Sequence, residues 1–368
     1  MVALRNSDAS ILAEAGGRRT YEDRDARYSD LNRVTGSLRQ PGSTWKPLVY
    51  LAAFRQGLNL DTPVPDEPIG VPMGEDRGVK WIANYDNRFK GPIPVRQALA
   101  ESRNAVAVWI AREIGPEQVI RTARELGIRT PLQPYPTLAL GASEVRLLEL
   151  ADVYRAMASG VLAQPHVIDR VDDVSGRVLY EADRPVREIR SANLSMIQEG
   201  LRGVVRLPDG TAHSLDRRDF PIPVMGKTGT TSNFRDALFV GSTYGPQGIT
   251  VAVRIGFDDN RELGTKETGG RAALPIFREI MLRVYDAKLV GPVPKFPREI
   301  EEGIDRYLAL QPKADSLPPP AGAPAITTPP VAPAAADSRA LPYRPWLPGL
   351  PGSARGRCSP LAPPRRST

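Results

Sequence analysis

The sequence predicts an α+β domain: an antiparallel sheet with helices packed on it and a helical block inserted between its strands. Three observations predict it. Two short strand-like runs open the chain, helical periodicity dominates the middle, and β-rich runs cut by turn residues lie between residues 224 and 257.

Taken in order, Val2-Ala-Leu-Arg and Ile11-Leu-Ala-Glu-Ala, separated by the polar Asn6-Ser-Asp-Ala-Ser, read as two strands joined by a turn. Residues 17–42 are polar and irregular. A helix then starts near Ser43 and runs to Phe54; it is apolar on nearly all sides, hence central and buried, with Pro47 in its tolerant first turn. Residues 60–92, with several Pro, Gly and Asp, read as a long surface excursion. Helical patterns resume over 95–101, 106–114, 117–126 and 147–159. Residues 166–172 and 177–180 read as strands around a Ser175-Gly176 turn, and 193–205 as a helix. Residues 224–228, 236–244 and 250–257 are the closing antiparallel strands, followed by an amphipathic helix over 274–285. From Pro312 the composition turns to Pro, Ala and Ser, which bury too little apolar surface to order themselves. One domain is therefore expected over 1–311, with a disordered tail over 312–368. There is no internal repeat.

The net charge is +7 and arginine far outnumbers lysine. The charge is scattered, with no run of five basic residues, so the balance suits anionic lipid or an anionic cell wall and gives no support to nucleic acid as a partner. The single cysteine, Cys358, excludes an internal disulfide and a Cys-based metal site, and His166 and His213 stand alone. No metal or cofactor is expected. No run approaches the ~18–20 apolar residues of a membrane span, and Arg5-Asn-Ser-Asp interrupts the amino end too early for a signal peptide.

Three short motifs carry chemistry, in the order Ser43-Thr-Trp-Lys46, Ser102-Arg-Asn104 and Lys227-Thr-Gly-Thr230. A serine hydroxyl is a weak nucleophile until a base takes its proton. Helix positions i and i+3 share a side, so the Lys46 amine can reach Ser43. Its usual pKa of about 10.4 is too high for a base, but a dehydrated site beside a second cation, Lys227, favours the neutral amine. Ser102 can relay a proton, and the Asn104 amide can hold a peptide. Gly229 lets a ligand approach the strand backbone. The amides of Ser43 and Thr230 can form an oxyanion hole, and the Thr228 and Thr230 hydroxyls beside Lys227 suit a carboxylate.

Each motif alone has a plainer explanation. Ser-x-x-Lys is a common surface helix turn, and Ser102-Arg-Asn serves as an ordinary helix cap. Lys227-Thr resembles the end of a phosphate-binding loop, but that loop needs Gly at position 221, which is proline. No Gly-x-Ser-x-Gly elbow or Ser-His-Asp context appears. The three motifs together, in order, are what point to a serine acyltransferase.

The chain resembles the transpeptidase (penicillin-binding) domain of class A penicillin-binding proteins, over roughly residues 1–288 and more weakly to 311. The resemblance extends to Arg39-Gln-Pro-Gly, Asn84-Tyr-Asp, Arg96-Gln-Ala-Leu, Leu140-Gly-Ala-Ser-Glu, Phe234-Arg-Asp-Ala and Gly256-Phe-Asp-Asp-Asn. It implies a β-lactamase/transpeptidase-like fold, with Ser43 as the acylated nucleophile and Lys46 as its base. Ser102 and Asn104 would belong to the second motif, and Lys227, Thr228, Gly229 and Thr230 to the third. The implied reaction releases D-alanine from a peptidoglycan stem peptide and passes the acyl group to an amine on a neighbouring stem; β-lactams would acylate Ser43. Water as acceptor would make a D,D-carboxypeptidase. A serine β-lactamase and an inactive truncated module are the alternatives, the first lacking a Glu-x-x-x-Asn context after the second motif. Arg103, in the middle of that motif, reads as merely tolerated. The proteins resembled carry a membrane anchor and a glycosyltransferase domain ahead of this one, which implies the extracytoplasmic face of the membrane. Here Met1 falls on the first strand, so the chain is expected to be a fragment, a mis-started chain or a truncation.

Overall fold

Strands from opposite ends of the chain meet in one sheet. The computed structural model describes residues 1–17, 31–72, 78–182, 184–189 and 191–311. Its strands are β1 (Val2–Arg5), β2 (Ile11–Glu14), β3 (Pro63–Asp66), β4 (Ile69–Pro72), β5 (Val79–Ile82), β6 (Gly91–Pro94), β7 (Val161–Leu162), β8 (Arg170–Asp172), β9 (Val178–Glu181), β10 (Arg187–Glu188), β11 (Met225–Thr230), β12 (Asp236–Ser242) and β13 (Ile249–Gly256). Its α-helices are α1 (Lys46–Phe54), α2 (Val95–Ala100), α3 (Asn104–Ile114), α4 (Pro116–Glu125), α5 (Leu147–Ser159), α6 (Ala192–Arg206), α7 (Leu274–Asp286) and α8 (Arg298–Leu310).

The main sheet runs β11-β12-β13-β1-β2, antiparallel throughout. The first strand therefore lies between the last one and its own hairpin partner, as the sequence predicts. Every residue of β12 is buried, which a strand achieves when both faces are covered; α5 and α7 both pack against it. All residues of α1 are buried too, and it packs on α3, α4 and α6. An apolar helix with no polar face is stable only in such a position.

Three expectations need correction. Residues 60–92 are not a plain surface excursion: β3 pairs with β6 and β4 with β5, burying Val64, Ile69, Val71 and Ile82. The prolines of β3 and β6 sit in a two-stranded ribbon, where edge positions tolerate a missing N–H. Helix α8 was not foreseen. It follows Pro297, carries Glu299 and Glu301 in its first turn, and packs on α6 with Ile300 and Ile304 buried. The helix expected from Ser43 begins at Lys46; Ser43 itself lies in a 3₁₀ turn, Gly42–Trp45. Residues 18–30 of the irregular stretch and the tail 312–368 lie outside the described residues. Among the described residues no helix is long and apolar enough to cross a membrane.

Candidate active site

The 3₁₀ turn that bears Ser43 is wedged between backbones. A Cβ on Gly42, whose φ is +53°, would lie 2.7 Å from the Thr230 carbonyl oxygen, and one on Gly229 would lie 2.7 Å from Thr44 Cγ2 and 2.8 Å from the Pro41 carbonyl oxygen. Only glycine permits so close an approach of turn and strand. Tyr154, on α5, fixes the turn from behind by donating to the Thr44 carbonyl at 2.7 Å. Arg39, just upstream, pairs with the buried Asp236 at the start of β12 at 3.0 Å. The Ser43 turn is thus tied to α5 on one side and to β12 on the other.

β11 is an edge strand, and its register shows which groups it offers. Thr231 N–H donates to the Asp236 carbonyl at 3.0 Å, and Thr230 stands opposite Ala237. Hydrogen bonds alternate along an antiparallel pair, so the Thr230 N–H points away from β12 toward the free edge. The Ser43 N–H, in the first turn of its 3₁₀ segment, precedes the first hydrogen bond of that turn, Thr44 N–H to the Pro41 carbonyl. Two backbone donors are left beside the serine, the arrangement an oxyanion needs. Thr228 Oγ1 donates to Thr211 Oγ1 at 2.7 Å, and Thr230 Oγ1 accepts from Gly269 N–H at 3.1 Å.

Lys46 is fully buried. Its Nζ lies 2.6 Å from the Ser102 carbonyl oxygen, 2.7 Å from Asn104 Oδ1 and 3.2 Å from Ser102 Oγ. Two of these partners can only accept, whereas the hydroxyl can also donate. The set therefore suits an ammonium donating three hydrogens as well as a neutral amine donating two and accepting one. Burial, and then the charges of Lys227 and Arg103, push the Lys46 pKa well below its usual value. Lys227 is also fully buried, and burial lowers it to about 7. Its amine donates to the Thr228 carbonyl at 3.3 Å. It is therefore only part-charged near neutrality, less of a cation than the sequence suggests.

Ser102 is not the helix cap of the plainer explanation. It follows the end of α2 with φ +60°; its N–H bonds to Leu99 O at 3.2 Å and that of Arg103 to Ala98 O at 2.9 Å. This is a Schellman-type ending with serine where glycine is usual, a strain of about 1 kcal/mol or more. The rigid neighbourhood explains why it holds. Arg103 is buried and pairs with the fully buried Asp66 at 2.8 Å and with Asp86 at 2.9 Å. Asp66 also accepts from Asn84 Nδ2 at 2.7 Å. Asn84 Oδ1 in turn accepts from the N–H groups of Asn104 and Ala105, at 2.7 and 3.2 Å, and so caps α3. The Asn104 amide donates one hydrogen to the Ala83 carbonyl at 2.9 Å, which leaves its second for a ligand.

The structure thus brings together every residue the sequence singled out. Ser43, Ser102, Asn104, Thr228 and Thr230 line one cleft of about 440 Å³, Lys46 bonds to two of these from beneath, and Lys227 and Gly229 belong to the strand that forms its wall. Sequence reasoning missed Asp66, gave Asn84 no role, and treated Arg103 as tolerated. Their partners are distant in the chain, so no local spacing marks them. Of the other cleft-lining residues, Tyr85 was likewise given no role and Lys80 was missed.

A family model described as the penicillin binding protein transpeptidase domain matches residues 1–282. The chain belongs to this family. Among its relatives, Penicillin-binding protein 1A of Neisseria meningitidis is 34% identical over 319 residues, 83% of this chain and 38% of the relative. Penicillin-binding protein 1A of Aquifex aeolicus is 35% identical over 294 residues, 77% and 38% of the two chains. The chain spans 38% of the length of these relatives. Among solved structures, Penicillin-Binding Protein 1A from Haemophilus influenzae matches with a TM-score of 0.69 at 25% identity, over 80% of this chain and 48% of that one. The PonA1 protein of Mycobacterium tuberculosis, solved in complex with penicillin V, matches with a TM-score of 0.65 at 22% identity, over 80% and 79%. The α+β fold is accordingly the transpeptidase fold of penicillin-binding proteins, with helices on an antiparallel sheet.

Proposed function

We propose that this transpeptidase domain, residues 1–311, is a serine D,D-transpeptidase that cross-links peptidoglycan stem peptides through an acyl-enzyme on Ser43, and that β-lactams acylate the same oxygen. The observation that carries the proposal is the hydrogen-bonding set of Lys46. Its partners are all neutral oxygens with no carboxylate among them, and burial beside Lys227 and Arg103 lowers its pKa, which favours a base one turn from the serine.

The carboxylate of the terminal D-alanine sits on Lys227, Thr228 and Thr230, and the donor peptide lies along the free edge of β11, as extended ligands do at an unpaired strand. Ser43 Oγ attacks the carbonyl carbon of the penultimate residue and gives its proton to Lys46 Nζ. The resulting oxyanion rests on the N–H groups of Ser43 and Thr230. The C–N bond to the terminal D-alanine breaks, its nitrogen taking the proton from Lys46 through the Ser102 hydroxyl. An amine of a neighbouring stem then attacks the ester, and the serine oxygen leaves with a proton returned along the same path. With a β-lactam the broken amide remains tethered, so no leaving group makes way for the acceptor. This reading puts the chemistry on the extracytoplasmic face of the cytoplasmic membrane, where a peptidoglycan substrate would be met.

The test is labelling with a fluorescent penicillin. A stable adduct on the wild type and none on Ser43→Ala is the expected result. Rapid release with turnover of penicillin would replace the transpeptidase with a β-lactamase, and no adduct on the wild type would leave an inactive module. Release of D-alanine from a stem pentapeptide, with and without an acceptor amine, separates transpeptidation from carboxypeptidase activity.

A further inference from the structure

A second pocket, of about 530 Å³, shares no residue with the cleft. It lies among α5, the end of α4 and the β7–β10 pair, with Leu126, Leu148, Leu162, Pro165 and Pro185 on its walls. Asp152 also lines it and is only 5% exposed. Its Oδ1 accepts from Arg155 Nε at 2.6 Å, and the rest of that buried guanidinium is committed to the carbonyls of Asn6 and Ala163. Asp152 Oδ2 has no partner among the described residues. Gly127 keeps this oxygen uncovered: its φ is +111°, and a Cβ there would lie 2.9 Å from Oδ2.

The remaining charges around the pocket are unequal. Glu125 is held by Arg55, and Glu149 by Thr130 and Arg146. Arg129 and Arg187 line the pocket and have no carboxylate partner among the described residues. Arg129 stands close enough for its charge to act on Asp152. The pocket therefore combines a buried hydrogen-bond acceptor already neutralised by Arg155, a rim with two guanidinium groups that no carboxylate pairs among the described residues (Arg129 donates to the Arg124 carbonyl at 3.5 Å), and apolar walls. A bare cation fits the acceptor and is repelled by the rim. A ligand that carries an N–H and a carboxylate on the same carbon fits both, because guanidinium pairs well with carboxylate.

We propose that this pocket binds the amino-carboxylate end of a small apolar ligand, with its N–H on Asp152 Oδ2 and its carboxylate on Arg129 and Arg187. A free amino acid and the last residue of a peptide share this chemistry. Titration calorimetry with leucine, N-acetylleucine and leucinamide tests it. Saturable binding of leucine or N-acetylleucine is expected, with leucinamide weaker by about tenfold or more because it lacks the carboxylate. N-acetylleucine binding as well as leucine marks a peptide end; leucine alone marks a free amino acid. The double variant Arg129→Ala/Arg187→Ala, which leaves the buried Asp152–Arg155 pair intact, should lose the preference for the carboxylate. No saturable binding of either acid, equal binding of leucinamide, or unchanged binding by the double variant overturns the proposal. Penicillin labelling of Ser43 in the double variant should match the wild type, so failure here is distinguishable from failure of the proposed catalysis.

Discussion

Two arginines and two lysines surround the Ser43 turn, and the protein treats them in opposite ways. Arg39 and Arg103 each meet a buried carboxylate, Asp236 and Asp66, at 3.0 and 2.8 Å. Lys46 and Lys227 are fully buried and, among the described residues, meet only neutral oxygens. A paired guanidinium keeps its charge at any physiological pH and ties segments together. An amine buried without a counter-charge is driven toward neutrality. Arg103 is nearly as buried as the two lysines and Arg39 less so; the side chain's own chemistry and the counter-ion together separate a guanidinium that holds the scaffold from an amine that can exchange a proton.

Breaking the unpaired side should have the largest effect. Ser43→Ala removes the only oxygen proposed to be acylated, so penicillin labelling should fall to background. Lys46→Met keeps the length and fills the buried space but supplies no base; labelling should slow by about 10²–10⁴-fold, the usual contribution of general-base catalysis. A time course of adduct formation measures it. A methionine variant that labels as fast as the wild type would move the base elsewhere.

The paired side should fail differently. Asp66→Ala leaves the Arg103 guanidinium buried without its buried carboxylate, a loss of about 3–5 kcal/mol, read as a lower midpoint in urea. Replacing both members together, Asp66→Leu with Arg103→Met, should recover part of that stability, because the buried charge is gone while Asn84 Nδ2 and the Lys90 N–H still lose their acceptor. If the double variant is as unstable as the single one, the pair's worth lies in the backbone it holds, including the strained Ser102.

This contrast also marks what the sequence could tell. The fold class was legible because β1, α1 and the β11–β13 run carry their own periodicity, and the candidate catalytic groups were legible because each sits in a short motif. The paired side was not. Asp66 lies in a proline-rich strand that reads as a loop, and Asn84 caps a helix that begins 20 residues later, at Asn104. Arg103 looked incidental because its meaning depends on Asp66 and Asp86 across a fold that local spacing cannot show. Helix α8 was missed for a related reason: its apolar face is narrow, and the pairing of Arg202 and Arg206 with Glu301 appears only once α6 lies beside it.

The smallest and most diagnostic effect concerns the charge on Lys227. Its folded pKa is lowered from 10.5 to about 7, so in the free protein it carries its proton below about pH 7 and loses it above. If that charge holds the penicillin carboxylate, the apparent second-order rate of acylation should decline above about pH 7, by up to ~tenfold per unit. Lys227→Arg keeps the cation throughout, and should abolish the decline. The same depression has a stability consequence of fixed sign. Between about pH 7 and 10.5 the unfolded chain binds a proton that the folded chain does not, so stability rises with pH across that window. Lys227→Met should flatten this rise. A rise that persists unchanged in the variant would assign it to Lys46, whose pKa is lowered in the same direction, and would leave Lys227 charged in the folded protein, on the paired side of the comparison.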